Sequence, residues 1–128
     1  MGLDLKLDAI GIACKDIQET IRFYQIFELS FEKSGDDHYE ATTSTGLRIM
    51  LDSVALMKKI NPNWHEPVGS NITLCFKQNN ADHVNKLYEK ITSEGFEGVK
   101  EPWDAFWGQR YSSVKDPNGN QIDIFCDL

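Results

Sequence analysis

Long apolar runs are missing from this chain of 128 residues. No segment approaches the roughly 20 apolar residues that a membrane-spanning helix needs. The opening "MGLDLKLDAI" has no basic n-region and no extended apolar core, so no export signal is read there and the cytoplasm is the expected compartment. Met-Gly does not complete a myristoylation pattern either, because Lys6 stands where that pattern wants Ser or Thr. Basic residues are also scarce. Thirteen Lys and Arg against twenty Asp and Glu give a net charge of −7, which argues against nucleic acid as a partner. The excess of acid suits solubility and is compatible with cationic ligands. Cysteine is limited to Cys14, Cys75 and Cys126, an odd number with no CxxC pair, and reduced, packed thiols are expected. His38, His65 and His83 show no metal-ligand spacing and are expected in solvent, so the histidines imply no metal.

What is present fits one soluble domain over 1–128, with 41% hydrophobic and 26% charged residues. "LKLDAIGIAC" alternates as a strand, with Ile10 and Ile12 on one face. "KDIQETIRFYQIFE" follows as a helix. Asp16 is its N-cap, Glu19 completes a capping box, and Ile17, Ile21, Tyr24 and Phe27 form the apolar stripe. Three short strands come next, in "SFEKS", "HYEATTS" and "LRIMLD". The order then recurs from Ser70. "SNITLCFK" is a strand, and "NNADHVNKLYEKITSEG" is a helix with Val84, Leu87, Tyr88 and Ile91 inward and His83 on its polar side. Strands near "FEGVKEP", "QRYSSVKD" and "QIDIFC" follow. Ile10 and Ile72 are 62 residues apart, Tyr24 and Tyr88 are 64, and Ile49 and Ile122 are 73, so the chain repeats itself with small insertions.

The expected fold is therefore α+β. Two βαβββ modules (about 1–54 and 70–128, with a linker over 55–69) form a curved mixed sheet around a central cavity, with the helices outside. Strand parity points Leu47, Ile49 and Leu51 toward the helices and Arg48, Met50 and Asp52 toward the cavity. Asn71, Thr73 and Cys75 occupy the matching strand of the second module. Asp123 stands mid-strand on the same side as Gln121 and Phe125.

The opening "LDAIGIACKDIQETIRFY" and the closing "WGQRYSSVKDPNGNQIDIF", together with the paired βαβββ units, resemble the vicinal oxygen chelate superfamily. It includes glyoxalases, extradiol dioxygenases and bleomycin-resistance proteins. The resemblance covers almost the whole chain and rests most firmly on the DP-x-GN turn with an acid in the strand after it. It implies metal-ligand positions at Ala9, Met50, Asn71 and Asp123. Ala9 cannot ligate, Met50 is a soft thioether and Asn71 a weak amide donor. One carboxylate does not hold a catalytic divalent ion. The resemblance thus points to the bleomycin-resistance type, which binds its ligand without metal or other cofactor. A metal-dependent lyase or dioxygenase, acid–base chemistry by Asp123, and a structural dimer with no native ligand stand as the alternatives. Family members of this size pair, so a homodimer is expected.

The candidate ligand-binding residues are Arg48, Met50, Asp52, Asn71, Thr73, Trp103, Phe106, Trp107, Arg110 and Asp123. Asp123 is either an anchor for a cationic or hydrogen-bonding ligand or an internal acid paired with Arg48 or Arg110. Trp103, Phe106 and Trp107 lie in one loop, as a stacking wall for a planar or cationic ligand, a cap on the core or a dimer contact. Tyr39 and Tyr111 are read as matched core or rim residues, and Cys75 as an inert thiol.

Overall fold

The structure is a computed structural model and describes residues 2–3, 5–67, 69 and 71–128. The expected first residue of the second module, Ser70, lies outside the described residues. The chain divides into two compact units, Met1–Glu66 and Pro67–Leu128. Each builds a four-stranded mixed sheet, neither of them closed into a barrel.

In the first unit β1 (Ala9–Cys14) leads into α1 (Ile17–Gln25), followed by β2 (Glu32–Gly35), β3 (His38–Thr42), β4 (Arg48–Ser53) and α2 (Val54–Ile60). The sheet order is β1-β4-β3-β2, with β1 parallel to β4 and the other pairs antiparallel. α1 starts where Asp16 accepts a hydrogen bond from the Glu19 amide. The Glu19 side chain does not close the expected box. It turns to Arg22, with Nε 2.6 Å from Oε2. The apolar edge of α1 is Thr20, Ile21, Phe23 and Tyr24, with Phe23 and Tyr24 fully buried. Against them lie Ile12, Cys14, Ala41, Ile49 and Leu51, all inside the core. α2 begins at the end of the first module and takes up the first part of what reads as linker, and Ser53 caps it by accepting from the Leu56 amide.

The second unit repeats the order with β5 (Thr73–Lys77), α3 (Ala81–Ser93), β6 (Gly98–Ala105), β7 (Gln109–Lys115) and β8 (Gln121–Asp127). Its sheet order is β5-β8-β7-β6, again with one parallel pair, β5 and β8. α3 is capped by Asn80 and packs on β6, β7 and β8. Val84, Ile91, Val114, Ile122, Ile124 and Cys126 form the core of this unit, each at most 1% exposed. The turn before β8 is built by Asp116. Its Oδ1 accepts from the amides of Asn118 and Asn120, and Gly119 takes the left-handed φ of 86° that the turn requires.

Two expectations change here. β6 runs on through Pro102, Trp103 and Asp104 to Ala105, so Trp103 is a strand residue and only Phe106 to Gly108 form the turn. Pro102 is tolerated because β6 is an edge strand. Second, the registers place Ala9 beside Arg48 and Thr73 beside Gln121. The counterpart of Ala9 is therefore Thr73 rather than Asn71. Asn71 precedes β5 and is exposed. A slip of two residues leaves every side chain on its expected face, which is why alternation alone does not reveal it.

Candidate functional site

The face of the second sheet that turns away from its core is organised by Asp123. β8 lies between β5 and β7, so Asp123 has neighbours on both sides: Cys75 in register on β5 and Ser113 on β7. It is only 7% exposed. Oδ1 accepts from Ser113 Oγ at 2.7 Å and from Gln121 Nε2 at 3.0 Å, and Oδ2 accepts from the Tyr111 hydroxyl at 2.6 Å. Three neutral donors thus satisfy a carboxylate that has no cationic partner among the described residues. The expected pairing with Arg48 or Arg110 does not occur. Burial, then the hydrogen bond to Asp123 and the charge of Asp123, push the Tyr111 phenol well above the ordinary tyrosine range, so Tyr111 remains a donor.

Tyr111 also joins Asp123 to an aromatic series on the same face. Its ring stacks on Phe125 at 5.8 Å and meets Trp107 edge-on at 5.3 Å. Trp107 in turn meets Trp103 at 5.5 Å and Phe106 at 5.0 Å, both edge-to-face. Trp107 is fixed by donating from Nε1 to Gln109 Oε1 at 2.7 Å, yet it is 48% exposed, and Phe106 is 90% exposed. The Lys100 ammonium lies over the Trp103 ring at 5.1 Å, so one ring face already carries a cation.

Of the sequence-predicted residues, Thr73, Trp103, Phe106, Trp107 and Asp123 are thus carried by the second unit on or beside this surface, while Asn71 sits in the segment ahead of β5. Arg110 is not on it. It points to the helix side, where Nε donates to Asn85 Oδ1 at 3.0 Å and Nη1 pairs with Asp104 at 3.1 Å. Cys75 is exposed beside Asp123, whereas Cys14 and Cys126 are packed as expected. Tyr111, Ser113 and Gln121 complete the arrangement. Parity along β7 would have put Tyr111 and Ser113 opposite Phe125 and Asp123.

The corresponding face of the first sheet is ionic. Arg48, Met50 and Asp52 share it, as parity predicts, and His38 and Glu40 of β3 stand directly opposite Asp52 and Met50. Arg48 Nη2 pairs with Asp8 at 2.6 Å and Nη1 with Glu40 at 2.5 Å. His38 Nε2 lies 2.7 Å from Glu40 Oε2, and Nδ1 bonds Asp52 Oδ1. His38 is therefore not a solvated histidine. The hydrogen bond to Asp52, followed by that to Glu40, raises its pKa above 6.5, and His38 followed by Arg48 lowers that of Glu40. By register His38, not Tyr39, is the counterpart of Tyr111, since it pairs with Asp52 as Tyr111 pairs with Phe125. Tyr39 faces α1 and accepts a hydrogen bond from Gln18 at 3.3 Å.

A divalent metal does not fit the positions that the fold offers it. Ala9 presents a methyl group, Met50 a thioether and Thr73 a hydroxyl, and both oxygens of Asp123 are engaged. Among the described residues no group of three or more His, Cys, Asp or Glu side chains is arranged to hold a metal ion.

Paired βαβββ units with a polar strand face in each define a glyoxalase-like fold. The family model for the Glyoxalase/Bleomycin resistance protein/Dioxygenase superfamily matches residues 6–124, and the chain belongs to that superfamily. Among solved structures it is similar to a glyoxalase/bleomycin resistance protein/dioxygenase family enzyme from Burkholderia phytofirmans, with 20% identity, 97% of this chain and 100% of that chain covered, and a TM-score of 0.86. A glyoxalase-related enzyme from Fulvimarina pelagi is 15% identical over 95% and 88% of the two chains, with a TM-score of 0.84. A protein of the same superfamily from Nocardioides is 16% identical over 100% and 87%, with a TM-score of 0.80. At such identities these likenesses establish the fold alone. No curated protein matches the sequence. No helix among the described residues is long and apolar enough to cross a membrane.

Proposed function

We propose that this protein binds a small organic molecule without metal, on the sheet face that carries Asp123 and the aromatic series around Trp107. The observation that carries this reading is the environment of Asp123: a buried carboxylate held by three neutral donors, with no cationic partner among the described residues, beside rings that remain exposed. A planar cationic or amphipathic ligand suits such a surface, since it supplies the missing charge and stacks on indole. An anionic ligand has less support, because Arg110 is turned to the helix side and Arg48 is held by two carboxylates. The cysteines form no disulfide among the described residues, and Cys75 is exposed, which supports a reducing compartment such as the cytoplasm.

The test is a titration of tryptophan emission with 1-methylquinolinium and, separately, with neutral 1-methylnaphthalene. Saturable quenching by the cation is expected, reduced in Trp107→Phe, with Asp123→Asn weakening the cation by roughly 1–3 kcal/mol and leaving the neutral probe unchanged. Quenching that does not saturate, or that ignores both substitutions, overturns the reading.

A further inference from the structure

His38 is the histidine that the fold draws out of solvent. Its side chain is 22% exposed, while His65 and His83 are exposed on the surface. Its ring bridges two carboxylates. Nδ1 meets Asp52 across the β3–β4 ladder, and Nε2 meets Glu40 two residues along β3 at 2.7 Å. A neutral imidazole has one N–H and one lone pair, so it can donate to only one of them. The other carboxylate would then face a lone pair at hydrogen-bonding distance. The imidazolium, with two N–H groups, satisfies both.

The groups around the ring strengthen this. Glu40 approaches from β3, and Asp52 and Arg48 from β4. Asp8 approaches Arg48 from the segment ahead of β1, and Glu32 of β2 lies opposite Glu40. Ser34 Oγ adds a long contact of 3.4 Å to Glu40. Asp37, in the β2–β3 turn, accepts from Ser53 Oγ at 3.0 Å. Acids outnumber bases, and the ring completes an alternating series Asp8–Arg48–Glu40–His38–Asp52.

We propose that His38 is a proton-operated clasp on the β2–β3 hairpin. As an imidazolium it ties β3 to β4 through Asp52, and it holds Glu40, which Arg48 of β4 also pairs. On losing its proton it releases one carboxylate and loosens the hairpin. The hairpin is built to respond. β2 is an edge strand exposed along its length, the ladder is irregular between Lys33 and Gly35, and Asp37 holds a left-handed φ of 57°. The direction follows from linkage. The folded protein holds this proton more tightly than the unfolded chain does, so the contribution is complete below 6.5 and is lost as pH rises through the raised value. The clasp therefore opens as pH rises through that raised value.

The test combines ring-nitrogen NMR of the whole protein with amide hydrogen exchange, from about pH 5 to about pH 10. Both ring nitrogens of His38 should stay protonated above the ordinary histidine value of 6.5. After correction for intrinsic rates, exchange of amides in 32–42 should rise roughly tenfold through the His38 transition, with the β7–β8 amides unmoved. Glu40→Gln should shift the transition to lower pH, and His38→Gln should abolish the pH step. A His38 ring that has already lost its proton below 6.5, or flat corrected exchange of the hairpin across its titration, overturns the proposal. The wild-type measurements decide it even if a variant fails to fold.

Discussion

The Tyr111 hydroxyl donates to Asp123 Oδ2 over 2.6 Å, from the adjacent strand and on the same sheet face. Tyr111→Phe keeps the ring contacts with Phe125 and Trp107 and removes only the donor. It should destabilise the protein by roughly 1–2 kcal/mol, read from urea unfolding, since one bond to a partly buried carboxylate is lost. The phenol also fixes a pH dependence. Its folded pKa is raised above its unfolded value, so its contribution is complete below the ordinary value of 10.0 and is lost as pH rises through the folded one. In an ultraviolet titration Asp123→Asn should lower the pH at which the Tyr111 phenol ionises.

On the other side of β7 lies the reverse situation. Ser112 is fully buried, and its hydroxyl has no hydrogen-bond partner among the described residues. Ser112→Ala removes an unsatisfied polar group from the core against α3 at almost constant volume. The change should be neutral or stabilise by up to about 1 kcal/mol, whereas Ser113→Ala, which takes a donor from Asp123, should destabilise. Paired denaturant curves check the sign.

The donor set predicts the metal content. Protein purified without chelators should contain less than about 0.1 equivalent of zinc, nickel, manganese or iron by elemental analysis, because a divalent ion needs about three protein ligands. A stoichiometric ion whose retention depends on Asp123 would contradict the metal-free reading.

Much of this was legible in the sequence wherever one face of a strand is strongly apolar. Ile49 and Leu51 in β4, and Ile122 and Ile124 in β8, fix the inward face, so Arg48, Met50, Asp52 and Asp123 fall on the other one. β3 gave no such signal. Ala41 is its only buried residue, and His38 therefore read as a surface histidine. Gly98 and Pro102 interrupt the alternation around Trp103 and hide the strand there, which an edge position permits. Arg110 stands opposite Cys126 in the β7–β8 register, on the helix side. Ion pairs such as His38 with Glu40 and Asp52 depend on cross-strand register, which alternation alone does not give.

The exposed apolar residues lead to the last expectation, a homodimer. In each sheet the first strand is an edge, β1 in one and β5 in the other, and edge strands offer unpaired backbone groups as a template for pairing. Beside these edges Leu5 and Leu7 are 83% and 78% exposed ahead of β1, and Ile72 is 72% exposed ahead of β5. Apolar side chains flanking an open edge are a surface that a second copy of the chain can cover, and self-complementary pairing of this kind closes with two-fold symmetry. Sedimentation equilibrium at tens of micromolar, on the order used for such assemblies, should give about twice the chain mass of 14.6 kDa. Leu5→Lys with Leu7→Lys should shift the population toward monomer while leaving far-ultraviolet circular dichroism unchanged, because neither residue belongs to the buried core. A wild-type protein that stays at the single-chain mass throughout that range would show these edges to be solvated rather than paired.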